Sequence, residues 1–246
     1  MFRMAEQPMQ EPPWRSAPRR RGSVPRPQLS REVVVAAALT VLAAEGGHAL
    51  TMRRVADQIG VSASSLYGYV TNKEELIQLV FDRIGGELTV PDTGGDWQAT
   101  LKEFARNMLA VFRKYPGVAA LTLGRPVGAP SMLQVGERIL AEMRAAGIPD
   151  QVAAYVGDLG GLYVGGIAYE IDVSERTGLG PEMVDQLAGW MRSLPADRFP
   201  HTVALADKLT AGTWQDRFEW GLDVIVRGLA SFLHTPPDPS AHWPAG

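Results

Sequence analysis

TMRRVADQIGVSASSLYGYVTNKEEL, residues 51–76, decides the fold. Thr51 offers a hydroxyl cap to a short helix whose apolar residues Val55, Ala56 and Ile59 share one side. Gly60 tolerates the left-handed backbone conformation at which a helix stops, and Ser62 opens the next helix almost at once. Two short helices joined by about three residues, with a glycine in the joint, make a helix-turn-helix. The second helix, residues 62–70, turns Leu66 inward and leaves Ala63, Ser64, Ser65, Tyr67, Gly68 and Tyr69 outward. That face lacks the long charged side chains that normally solvate an exposed helix, so it is shaped to touch a partner. Asn72, with Glu75 three residues later, is an asparagine version of the capping box and starts a further helix through Leu76, Leu79, Val80 and Ile84.

Outward from this stretch the chain stays helical. Before it, Val34, Ala38, Val41 and Leu42 recur at helical spacing and end at Gly46 and Gly47. After it, Pro91, Gly94 and Gly95 mark a linker, followed by helical segments at 96–114, 132–146, 150–173, 181–193, 199–209 and 213–233. No strand-like alternation occurs. The expected fold class is all-α, with a helix-turn-helix domain at 29–88 and a larger helical domain at 96–235. Residues 1–28 combine six prolines with six arginines and are expected to be a disordered basic tail, read either as a solvated segment or as an arm touching DNA. Residues 236–246, with Pro236, Pro237 and Pro239, are expected to fray.

Composition excludes several classes of chemistry. The chain has 246 residues and no cysteine, which rules out disulfides, thiolate metal sites and cysteine nucleophiles. His48, His201, His234 and His242 are scattered without metal-ligand spacing, and no nucleophile, base and acid group at telling positions, so neither metal, cofactor nor enzymatic activity is expected. No apolar run is long enough to span a membrane, and no leader-like segment opens the chain, which predicts a soluble cytoplasmic protein.

The formal net charge is −3, yet residues 1–28 carry +4 while 29–90 carry −2. Binding to a polyanion therefore depends on where the cations lie. Arg53 and Arg54 fall in the first turn of the 51–59 helix, beside its positive end, and form an expected anion site; Glu45, Asp57, Asp82 and Glu87 are expected to face elsewhere. In a helix-turn-helix the second helix lies in the major groove, where small residues permit close approach. Serine hydroxyls can bond base edges or phosphates, the Ala63 methyl can meet a thymine methyl, and Tyr67, Tyr69 and Lys73 can reach phosphates.

LSREVVVAAALTVLAAEGGHALTMRRVADQIGVSASSLYGYVTNKEELIQLVFDRI, residues 29–84, resembles the DNA-binding domain of the TetR family of transcriptional regulators. GVS, LY and NKEEL stand at the family's spacings after TMRRVA. RFEWGLDVIVRGLASFL, residues 217–233, resembles more loosely the C-terminal domain of the tetracycline-repressor subgroup. The resemblance implies an all-helical homodimer, a DNA operator with two-fold symmetry and a ligand cavity in the C-terminal domain. It places DNA contacts on Thr51, Arg53, Ala63, Ser64, Ser65, Tyr67, Gly68, Tyr69 and Lys73, with Gly68 and Tyr69 departing from the tetracycline repressors. The metal-chelated drug site of that subgroup does not carry over.

YVGDLGGLYVGGIAYEI, residues 155–171, aligns Gly157, Gly161 and Gly165 on one helical side, each costing up to about 1 kcal/mol of helix propensity. Three readings stand. The resemblance places the dimer interface here, together with Phe218, Leu222, Ile225, Leu229 and Phe232 of the last helix; the alternatives are a cavity wall and packing within the chain. Candidate ligand-pocket residues are Phe104, Asn107, Met108, Met143, Tyr163 and Trp190. The expected function is a ligand-responsive repressor, released from a palindromic operator by a small-molecule effector. The alternative is an activator, or a regulator without a small ligand.

Overall fold

A computed structural model describes residues 29–122, 129–178 and 180–234. The tails at 1–28 and 236–246 therefore lie outside the described residues. Every regular element described is helical: α1 (Arg31–Glu45), a 3-10 turn (Gly47–Ala49), α2 (Met52–Ile59), α3 (Ala63–Leu66), α4 (Lys73–Gly85), α5 (Trp97–Lys114), α6 (Val118–Thr122), α7 (Pro130–Ala145), α8 (Asp150–Thr177), α9 (Pro181–Arg192), α10 (Pro200–Leu209) and α11 (Trp214–Ser231).

The helix-turn-helix is set by local chemistry. The Thr51 hydroxyl accepts from the Arg54 amide at 3.1 Å, and Gly60 takes the left-handed conformation with φ of 80°. Leu66 is fully buried among α1, α2 and α4 side chains. The helix expected over 62–70 is shorter, because after Leu66 the backbone tightens: the Tyr67 amide donates to Ser64 and the Tyr69 amide to Leu66, each three residues back. A glycine between two tyrosines gives little helix propensity with which to continue. Ser62 occupies the cap position, but its hydroxyl bonds those of Ser64 and Ser65, both at 2.8 Å, instead of a backbone amide.

At α4 the Asn72 side chain accepts from the Glu75 amide at 2.8 Å. The return bond of the expected capping box is displaced by one residue. The Glu75 carboxylate accepts from both the amide and the hydroxyl of Thr71 at 2.7 Å, a chelate that Asn72 cannot offer, while its other oxygen pairs with Arg31.

α4 and α7 pack together, and one continuous core runs from α1 through α4 and α5 into α8 and α11. A satellite cluster of Trp97, Ile139, Met143, Ile148, Val152 and Val226 fills the far end of α5, α7, α8 and α11. α9 and α10 pack chiefly on each other. The 3-10 turn and α6, short elements without a helical repeat of their own, were not anticipated from sequence. They meet at Gly47 and Gly117: the Gly47 amide donates to Pro116 at 2.9 Å, and a Cβ on Gly47 would stand 2.6 Å from the Gly117 carbonyl oxygen.

Candidate nucleic-acid interface and effector cavity

The outward side of α2, α3 and the start of α4 carries the residues singled out as DNA contacts. Thr51, Arg53, Ser64, Ser65, Tyr67 and Gly68 are exposed, Tyr67 at 55% of its full surface. Ala63, Tyr69 and Lys73 are half-buried. Tyr69 packs against the core, and its carbonyl accepts from Arg31 Nε at 3.2 Å. Arg31 thus ties the end of the helix-turn-helix back to α1 and, through Glu75, to α4.

Arg54 is not the free cation that its sequence position suggested. Its Nε and Nη2 both bond the Glu45 carboxylate, with Nε to Oε1 at 2.8 Å, and Nη2 also reaches Gln58. The hydrogen bonds from Arg54 hold the Glu45 carboxyl below the usual carboxylate range. Arg54 therefore braces α2 against α1, Glu45 faces it, and Arg53 alone of the two is exposed and, among the described residues, outside any ion pair.

A cavity of about 660 Å³ lies between α5, α7, α8 and α11, with Phe81 of α4 in its wall. Of the pocket residues expected from sequence, Phe104, Met108 and Tyr163 line it. Three do not. The Asn107 side chain accepts from the Thr89 amide at 2.9 Å and pins the linker; Met143 is fully buried in the satellite core; Trp190 stands on α9, 59% exposed. Leu101, Phe112, Met132, Val135 and Ile139 complete much of the apolar wall. Apolar residues at helical spacing look the same in a sequence whether they border empty space or pack into a core.

The glycines of α8 divide. Gly157 and Gly161 border the cavity, and a Cβ on either would meet nothing within 4 Å, so the missing side chains are part of its volume. Gly165 is buried. The α11 residues assigned to the dimer surface also point inward. Phe218, Leu222 and Leu229 are buried in their own chain, and Leu222, Ile225 and Leu229 line the cavity. An apolar stripe on a helix looks the same whether its partner is in the same chain or another. Exposed on the remaining surface are Tyr155, Leu159 and Tyr169 along α8, with Trp220 and Val224 on α11, Trp220 at 71% exposure; Leu162, also exposed, borders the cavity.

A smaller cavity of about 350 Å³ sits beneath the 3-10 turn, bordered by His48, Lys73, Gly117, Asp172 and Arg176. There the buried Asp172 carboxylate accepts from the Gly117 amide; burial pushes its carboxyl up, and that hydrogen bond partly offsets the effect. Among the described residues no cluster of three or more histidine and acidic side chains could hold a metal, and no helix is long and apolar enough to cross a membrane.

A helix-turn-helix on a helical body with a large apolar cavity defines a class of ligand-responsive DNA-binding regulators. Residues 34–80 match the model of bacterial regulatory proteins of the tetR family, and residues 90–233 match the tetracyclin repressor-like C-terminal domain. The chain belongs to the TetR family. It is 33% identical over 219 residues to the HTH-type transcriptional repressor DrrR1 of Streptomyces coeruleorubidus, covering 86% of this chain and 81% of that one. An HTH-type transcriptional regulator of Saccharopolyspora erythraea is 30% identical over 211 residues, covering 84% and 86%. Among solved structures, ActR of Streptomyces coelicolor in complex with actinorhodin matches with a TM-score of 0.76 and 36% identity, over 84% of this chain and 99% of that one. ActR in complex with (S)-DNPA matches with a TM-score of 0.75.

Proposed function

We propose that this protein is a cytoplasmic repressor that binds a two-fold symmetric operator as a homodimer and is released when a small molecule enters the cavity. The observation that carries this reading is the position of α4. Lys73 begins α4 directly after the recognition segment, and Phe81, two turns on, stands in the cavity wall. A ligand that displaces Phe81 acts on the same rigid helix that positions Thr51 to Tyr69. A ligand preferring the displaced conformer weakens DNA binding by that preference. The ligand complexes of ActR, at 36% identity, support a cavity of this kind as an effector site.

In this reading Ser64, Ser65 and Ala63 meet base edges while Arg53, Tyr67, Tyr69 and Lys73 meet phosphates. Dimerisation uses the exposed stripes of α8 and α11, where Trp220 is the most exposed apolar group, and not the buried Phe218 and Leu222. Two recognition segments held about 34 Å apart then read successive major grooves. The test is a fluorescence-anisotropy titration of duplexes from upstream of the protein's own gene and its neighbours. One fragment retained at salt that releases random DNA supports the reading; equal affinity for all fragments overturns it.

A further inference from the structure

The cavity wall is apolar except at one edge. Among the described residues it includes no lysine, arginine or histidine, and its only charged side chains are Glu137 and Asp158. On α7, Met132, Val135, Gly136 and Ile139 form the inner stripe, while Leu133, Glu137 and Leu140 form an exposed lip beside it. On α8 the exposed lip is Ala154, Asp158 and Leu162.

The two lips match in height. α7 and α8 pack as an antiparallel pair joined by a short turn; Glu137 lies eight residues before Ala145, the last of α7, and Asp158 eight residues after Asp150, the first of α8. Equal counts at equal rise per residue put the carboxylates level across the pair. Among the described residues neither is taken up by an ion pair. The cations of α5 are committed elsewhere, Lys102 to Asp223, Arg106 to Glu219, Arg113 to Glu175 and Lys114 to Glu87.

We infer that the effector is a fused-ring aromatic compound bearing an alkylamine: the ring system sits among Phe81, Phe104, Phe112 and Tyr163, and the protonated nitrogen at the lip between Glu137 and Asp158. The inference rests on the cavity being the effector site and adds the charge of its ligand. Aromatic and thioether walls favour flat, polarisable rings. An acidic aromatic ligand finds no cation there and is repelled by both carboxylates, whereas an amine gains from each. The lips are open to water, so the gain is modest, roughly tenfold over a neutral ligand for two partly screened pairs.

The test uses the full chain without DNA and three probes on one ring system: 1-pyrenemethylamine, 1-pyrenemethanol and 1-pyrenecarboxylate, followed by pyrene emission at neutral pH. The amine is expected to bind roughly tenfold tighter than the alcohol, and the carboxylate weaker than both. A Glu137→Gln, Asp158→Asn double variant should bring the three affinities within about twofold of one another. Gly161→Trp, which fills the cavity, should abolish binding of all three. Equal wild-type affinities, or a preference for the carboxylate, overturn the charge assignment and leave the cavity as the effector site. A preference that survives in the double variant overturns the roles of Glu137 and Asp158. Failure of every probe to bind, or binding unaffected by Gly161→Trp, overturns the effector-site reading and this inference with it.

Discussion

Gly221→Ala tests how tightly the cavity wall is built. Tyr163 of α8 lies over α11 at this glycine, its ring stacked on Phe218 with centroids 5.8 Å apart and its hydroxyl donating to the Phe218 carbonyl at 2.9 Å. A Cβ on Gly221 would overlap that hydroxyl. Tyr163 must then leave, losing about 1 kcal/mol of hydrogen bond and about 1 kcal/mol of ring stacking. Strain from the added methyl contributes about 1–3 kcal/mol more. The better helix propensity of alanine offsets about 1 kcal/mol. The net expectation is a loss of about 2–4 kcal/mol, read as a fall of about 1–2 M in the urea midpoint by far-UV circular dichroism. Tyr163→Leu in the same chain removes the clash, so the double variant should be more stable than Gly221→Ala alone. A Gly221→Ala protein within about 0.5 kcal/mol of wild type would refute the reasoning, since that is the scatter of an ordinary surface change.

Arg53→Ala should lower the salt slope of DNA binding by about one phosphate contact, whereas Arg54→Ala should leave the slope unchanged and lower the melting temperature, because Arg54 braces Glu45. Trp220→Glu with Val224→Glu should halve the mass seen by light scattering while helical content is retained; Gly161→Leu, whose side chain has open cavity to enter, should stay dimeric and lose effector binding. Asp172 holds its proton to higher pH when folded than its ordinary value of 3.8, so the folded state binds more protons above that value and its contribution to stability falls as pH rises through the folded value. Asp172→Asn should remove that fall, seen as a smaller change in urea midpoint between mildly acidic and neutral pH than wild type shows.

The helix-turn-helix was legible because its signals are local. Thr51, Gly60 and Asn72 act on backbone within three or four residues of themselves, whatever the rest of the chain does. The commitment of Arg54 was not, since Glu45 lies on another helix and meets it only through the crossing of α1 and α2. The return bond from Glu75 was missed by one residue because Thr71 offers two donors where Asn72 offers one. In the body, periodicity identified buried faces without saying what they bury against. Phe104, Met108 and Tyr163 reach the cavity while Asn107 serves the linker, a distinction made by which side of α5 the loop at Thr89 crosses. The glycines of α8 signalled missing side chains, and only the packed structure decides that at Gly157 and Gly161 the space is empty.

Selection of bound duplexes from a random pool by the full-length protein tests the central claim most directly. The account predicts a single consensus with two-fold symmetry, its half-sites centred about one helical turn or a multiple of it apart, and its recovery lost when Tyr67 and Lys73 are both replaced by alanine. Recovery of no consensus, or of one that lacks symmetry, would contradict a dimer reading an operator through this helix-turn-helix.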